Sequence, residues 1–250
     1  MKEVANFWLQ QSKKIMRTGL FIILAVIITA CSQLVGERGN GERVTRTYNL
    51  DPYNEIEISG GYEINLVPSE SREVILKVDE NLVDEINIYV RGDRLIIESE
   101  RMLFSPKGIK IEIPAHNITE LTSSGASNII CNDPLKSDEL TIELSGAGKI
   151  DLHLDVADVS VELSGAALVY LEGVARSLDV EMSGAGSVEA DGLEVVDCNI
   201  DISGVGSALV NVSGSLDAQV SGLGSVEYIG NPKSVKGDVS GVGNVKRVKD

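Results

Sequence analysis

Seven serines, each followed at once by glycine, recur along the second half of the chain: Ser124, Ser145, Ser164, Ser183, Ser203, Ser221 and Ser240. A serine works as a nucleophile when a base and an oxyanion pocket surround it, and a Gly-x-Ser-x-Gly elbow feeding a helix is one way to expose it. Here the serines lead into glycine turns with no helical pattern behind them. Seven equivalent serines fit turn hydrogen bonding, since a nucleophile need be only one of them. The same Ser-Gly-x-Gly loops carry the glycines of a phosphate cradle but lack its lysine and following helix.

Acids offer a second kind of chemistry. Two residues before the turn serines stand Glu143, Glu162, Glu181 and Asp201, followed in the same place by Gln219 and Asp238. Carboxylates suit calcium, so Glu143, Glu162, Glu181 and Asp201 are candidates for a cation-binding stripe. Against that, the Gly-Gly-x-Gly-x-Asp calcium repeat is absent and the glutamates have no adjacent ligand set. A solvated acidic face is the plainer reading. Neither a metal nor any other cofactor is expected.

Other reactive side chains are few. His116 follows Pro114-Ala115 in a loop, and His153 alternates with Leu152 and Leu154 and should face outward. Neither has a cysteine or second histidine at zinc-ligand spacing. Cys131 and Cys198 are 67 residues apart. In a stack of coils that is roughly 17 Å along the axis, beyond the ~7 Å reach of a disulfide. Asp151, Asp155, Asp179, Asp197 and Asp217 are scattered, and arginine is sparse beyond residue 101. No catalytic residue is assigned, and the chain reads as a non-enzyme.

The elements that position these side chains come from a repeat. Successive turn serines are 21, 19, 19, 20, 18 and 19 residues apart. Ile142-Glu143-Leu144, Val161-Glu162-Leu163, Val180-Glu181-Met182 and Ile200-Asp201-Ile202 precede the turn, and Ile150-Asp151-Leu152, Val169-Tyr170-Leu171 and Val188-Glu189-Ala190 follow it. The alternation has the period of a strand buried on one face. A second punctuation comes at Glu172-Gly173, Asp191-Gly192 and Ile229-Gly230-Asn231-Pro232. Each repeat is expected to run strand, tight turn, strand, looser turn. The structural turn glycines are Gly125, Gly146, Gly148, Gly165, Gly184, Gly186, Gly204, Gly206, Gly222, Gly224, Gly241 and Gly243. Each either supplies positive φ or lets stacked backbones approach closely.

One such unit cannot bury its apolar face alone. Stacking at about 4.8 Å per coil pairs each strand with its equivalent above and below. Leu144, Leu163, Met182, Ile202, Val220 and Val239 then form an inward column. The expected fold class is all-β, a single-stranded β-helix (solenoid) with ~19-residue coils. Residues 47–114 are strand-like but less regular and read as longer, divergent coils that cap the first edge, with Ser59-Gly60-Gly61 as an earlier copy of the turn. Residues 115–250 hold the regular repeats, so 47–250 form one β-helix domain. Lys246, Arg247 and Lys249 place positive charge on the last strand, a guard against edge-to-edge pairing.

The amino terminus has a different pattern. Lys13, Lys14 and Arg17 precede an unbroken apolar run from Leu20 to Ala30. Eleven helical residues rise roughly 16 Å, about half a hydrocarbon core, which suits a signal peptide better than a membrane span. Ile28-Thr29-Ala30-Cys31 resembles a bacterial lipobox, in which the cysteine is diacylated and becomes amino-terminal. On that resemblance residues 1–30 are a lipoprotein signal peptide and Cys31 carries the lipid, the membrane being the partner it implies. The start is at Met1 or Met16. Polar, glycine-bearing residues 31–46 read as a tether. Ser32 in place of an aspartate favours, by resemblance to known sorting rules, an outer-membrane lipoprotein of the cell envelope.

Charge narrows the partners. The whole chain carries −16, and losing Lys2, Lys13, Lys14, Arg17 and Glu3 with the signal leaves −19. Such a surface repels phosphate backbones, so no nucleic-acid partner is expected.

A lipobox, a strand-rich start and a ladder of Ser-Gly-x-Gly turns together resemble the auto-transporter adhesin, head GIN domain family of Bacteroidetes, a family of unknown function. The likeness spans residues 48–230 or beyond. It implies a right-handed β-helix related in shape to pectin lyases but without their catalytic residues, and a role in adhesion. No barrel-forming translocator segment is legible, so self-export is not expected. The function expected is a non-catalytic, lipid-anchored envelope protein contacting a protein or glycan ligand. The alternative is a carbohydrate-binding or carbohydrate-active protein on a pectin lyase-like fold.

Overall fold

The computed structural model describes residues 36–249, of which 38–249 pack as one unit. The expected signal peptide, Cys31 and the first residues of the expected tether lie outside the described residues. Among the described residues no helix is long and apolar enough to cross a membrane.

The chain enters through an irregular cap. Strands β1 (Glu37–Arg38), β2 (Arg43–Asn49), β3 (Glu55–Ser59), β4 (Glu63–Val67) and β5 (Glu73–Asp79) lead to a 3-10 helix (Glu80–Glu85). Then come β6 (Asn87–Arg91), β7 (Arg94–Glu98), β8 (Leu103–Phe104), β9 (Lys110–Pro114) and β10 (Glu120–Ser123). Parallel stacking already begins here, with β3 between β7 and β10, and β4 on β9. The cap is not coiled throughout, however. β2–β5, β5–β9 and β6–β7 pair antiparallel, the last through a tight loop in which Gly92 takes φ 67°. Antiparallel strands fold over the open base of the stack and cover its apolar end, a device that coil periodicity does not reveal. Residues 43–46, expected within the tether, instead open β2, where Val44 packs on the core.

Above the cap stand five long strands: β11 (Asn128–Leu144), β12 (Ala147–Leu163), β13 (Ala166–Met182), β14 (Ala185–Ile202) and β15 (Val205–Val220). Shorter β16 (Leu223–Gly230), β17 (Ser234–Val239) and β18 (Val242–Arg247) complete a solenoid of about 7 turns. Every neighbouring pair is parallel, with Leu144, Leu163, Met182, Ile202 and Val220 in one register column. These five are buried, whereas Val239, assigned to the same column, is 38% exposed because no described coil lies above it.

The looser turn also differs from expectation. In β11 to β15 the chain bends there within one long strand, and the pairing register shifts between Cys131 and Leu135, Tyr170 and Glu172, and Ala190 and Glu194. Burial in β12 shows how: Ile150, Leu152, Leu154 and Val156 point inward, then Val159, Val161 and Leu163. The doubled outward step at Ala157-Asp158 is the corner. Between β16 and β17 the strand itself ends, across Asn231-Pro232, where proline brings no N–H to the ladder.

Candidate functional site

The Ser-Gly-x-Gly corners are built by backbone. None of their glycines lies at positive φ; the looser-turn glycines Gly173 and Gly230 do, at 111° and 83°. A β-carbon on Gly146 would instead overlap the carbonyl oxygen of Gly125 in the coil below, and the same holds for Gly165 on Gly146, Gly184 on Gly165 and Gly204 on Gly184. That carbonyl accepts the N–H of the following residue, as from Ala166 to Gly146 at 2.9 Å. The serine and glycine N–H groups share the carbonyl beneath, Ser183 and Gly184 both donating to Leu163. Of the two roles open to these glycines, close approach is the one they serve. Gly60 continues the ladder downward, accepting from Ala126 at 2.8 Å.

These corners line up the acids. Glu143, Glu162, Glu181, Asp201, Gln219 and Asp238 occupy successive rungs, about 4.8 Å apart. With Ser145, Ser164, Ser183 and Ser203, the first four of them line a groove of about 360 Å³. The column's foot is neutralised. Glu57 lies below Thr122, which lies below Glu143. Arg94 spans Glu55, Glu57 and Glu120 at 2.7, 3.2 and 2.9 Å, and these hydrogen bonds raise the guanidinium pKa further.

Farther up, the scarce cations are spent elsewhere, on Lys149–Asp151, Lys136–Asp155, Arg176–Asp158, Lys236–Asp217 and Lys246–Glu227. Among the described residues Glu143, Glu162, Glu181 and Asp201 take part in no ion pair. No group of three or more histidines, cysteines or acids there is arranged to hold a metal ion.

A wider cleft of about 1130 Å³ opens where cap loops meet the first coils, lined by Tyr53, Asp93, His116, Asn117, Lys136 and Asp155 among others. Tyr53 Oη donates to the Pro114 carbonyl at 2.6 Å, and burial raises its pKa. Asn117 sits at φ 51°, a conformation asparagine adopts more readily than most. The sequence placed His116 in a loop but gave no sign of this cleft, because its walls come from segments with no common period. His153 faces outward beside Glu172 of the next coil.

Cys131 and Cys198 are both free and buried. Burial pushes their thiols up to about 11 and about 12. Asp79, wholly buried before the 3-10 helix, has neither carboxylate oxygen hydrogen-bonded among the described residues.

Fold and ladders together define a β-solenoid protein whose exposed chemistry repeats coil by coil. The chain belongs to the DUF2807 family, "Putative auto-transporter adhesin, head GIN domain", whose model matches residues 52–232. Among solved structures it is similar to a "putative adhesin" from Bacteroides fragilis NCTC 9343, 26% identical, covering 85% of this chain and 100% of that one, with TM-score 0.80. A second, from Parabacteroides merdae ATCC 43184 and of the same description, is 26% identical over 84% of this chain and 98% of the other, with TM-score 0.62. A "putative lipid binding protein" from Parabacteroides distasonis ATCC 8503 shares the fold at 21% identity and TM-score 0.64, covering 84% of this chain and 98% of that one. No curated protein matches this chain.

Proposed function

We propose that this protein is a lipid-anchored component of the bacterial cell envelope that uses its solenoid for adhesion or ligand contact, without catalysis. The observation that carries the reading is the in-register groove. Serine hydroxyls and unpaired carboxylates repeat along it from coil to coil, a surface suited to many equivalent contacts along an extended partner. Membership of an adhesin head family supports it. Cys31 carries the acyl chains, and Ser32 directs the protein to the outer membrane. The partner is a protein or a glycan. The negative surface disfavours nucleic acid.

Protease shaving of intact cells tests exposure: loss of the protein without lysis is expected, and full protection beside a digested surface control would refute the adhesin reading. Labelling with a fatty-acid analogue tests the anchor. Label should enter the wild-type chain and not Cys31→Ser, and equal labelling of both would exclude Cys31 as the lipid site.

A further inference from the structure

The last described coil differs from those beneath it. β17 and β18 pair downward with β15 and β16, and their upper edges face no strand among the described residues. Val235 and Val239 hold inward positions yet are 42% and 38% exposed, whereas Leu216 and Val220 one rung below are 1% exposed. Natural sheets block or cover such an edge. Of the expected guard Lys246, Arg247 and Lys249, the first two turn down onto the coil below. Lys246 Nζ lies 2.9 Å from Glu227 Oε1, and Arg247 Nη2 donates to the Gly230 carbonyl at 2.6 Å.

The sequence of this edge is its own complement. Ser234-Val235-Lys236-Gly237-Asp238-Val239-Ser240 reads the same from both ends, except that lysine and aspartate change places about Gly237. Laid antiparallel on a second copy with Gly237 at the two-fold axis, it sets Lys236 opposite the partner's Asp238, and Asp238 opposite the partner's Lys236. Val235 then faces the partner's Val239. Opposite charges facing across an antiparallel pair stabilise it, and like charges destabilise it. Asp238 has no ion pair among the described residues. Lys236 already reaches Asp217 at 2.8 Å, so pairing would place its ammonium between two carboxylates.

The opposite face of the coil fits the same axis. A β-carbon on Gly237 would lie 3.2 Å from Val245 Cβ, so these residues face each other across the core. A two-fold axis through Gly237 therefore passes near Val245 and brings Lys246 opposite the partner's Asn244. No like charges directly oppose one another on either strand.

We propose that the protein forms a two-fold dimer through its last coil, β17 pairing antiparallel with β17 of a second copy and β18 with its own equivalent. The interface is isologous and closes on itself, so one contact covers the exposed β17 and β18 edges of both copies.

The test uses the full chain in detergent, followed by sedimentation velocity, with circular dichroism to confirm that each variant is folded. Wild type is expected to be dimeric. Lys236→Asp or Asp238→Lys sets like charges opposite at two symmetry-related places and should weaken the dimer by at least about tenfold. The double exchange K236D/D238K should restore it. A monomeric wild type, or single exchanges that sediment as wild type, would overturn the proposal.

Register is checked separately by cysteine pairing. Opposed Cα atoms across an antiparallel pair lie about 4.5–5.5 Å apart, within disulfide range. A mixture of Lys236→Cys and Asp238→Cys chains should cross-link, and neither should alone. Cross-linking of one variant with itself would exclude this register.

Discussion

The carbonyl oxygen of Gly165 fills the place that a β-carbon on Gly184 would need. Because that oxygen also accepts the Ala185 N–H at 2.9 Å, it cannot yield without breaking the corner. The residue type at each corner is thus dictated by a backbone atom one coil below.

Gly184→Ala should therefore cost on the order of 3 kcal/mol or more, at the upper end for overpacked cores. Gly61, in the earlier copy of the turn, is more forgiving. The nearest atom to a β-carbon there is the Ala126 carbonyl oxygen at 3.8 Å, so Gly61→Ala should cost less than about 1 kcal/mol. Urea denaturation of the two variants measures the difference, and equal losses would refute it.

Alkali should destabilise the fold. A thiol in an unfolded chain titrates near ~8.5, while burial holds Cys131 and Cys198 at about 11 and about 12. Folded values above the unfolded one mean that this stability is fully present below ~8.5 and lost as pH rises through the folded values. Tyr53 and Tyr62, raised by burial, act in the same direction. The thermal midpoint should fall above about pH 9, less steeply in Cys198→Val, and should not rise.

The bare acids should repel one another. Replacing Glu162 and Glu181 together by glutamine is expected to stabilise the protein by about 0.5 kcal/mol at low salt. The gain should shrink as salt is added. Melting curves at two ionic strengths decide it: a loss of stability would mean that these carboxylates are held by something the ladder geometry does not contain.

Arg94 should matter more than a surface arginine usually does. It joins three glutamates, two on β3 and one on β10, and its side chain is 34% exposed. Arg94→Met leaves Glu55, Glu57 and Glu120 facing one another without a cation. A loss of about 1–2 kcal/mol is expected, above the value for one exposed pair. Double-mutant cycles with Glu120→Gln measure the coupling.

Much of this fold was legible because alternation and period come from the same constraint. Ile142 and Leu144 must face inward for the coil to have a core, and coil length must stay near-constant for Leu163 to land on Leu144. The groove acids followed from that register. What escaped has no period. Arg94 meets Glu120 only because β3 joins their strands, and Tyr53 and His116 share one cleft only through loop packing. The antiparallel cap is likewise a tertiary solution to covering one end. Val239 holds its place in the column yet stays exposed, because an inward direction buries a residue only where another layer lies above.

The hydrogen bonds between coils run along the stacking direction, perpendicular to their strands. Tension applied from the first coil to the last would therefore load them as a zipper, opening one rung before the next, and would not shear whole strands past each other. Each released coil of about 19 residues would pay out roughly 60 Å of extended chain. The solenoid would then yield in steps of fixed length, set by its repeat.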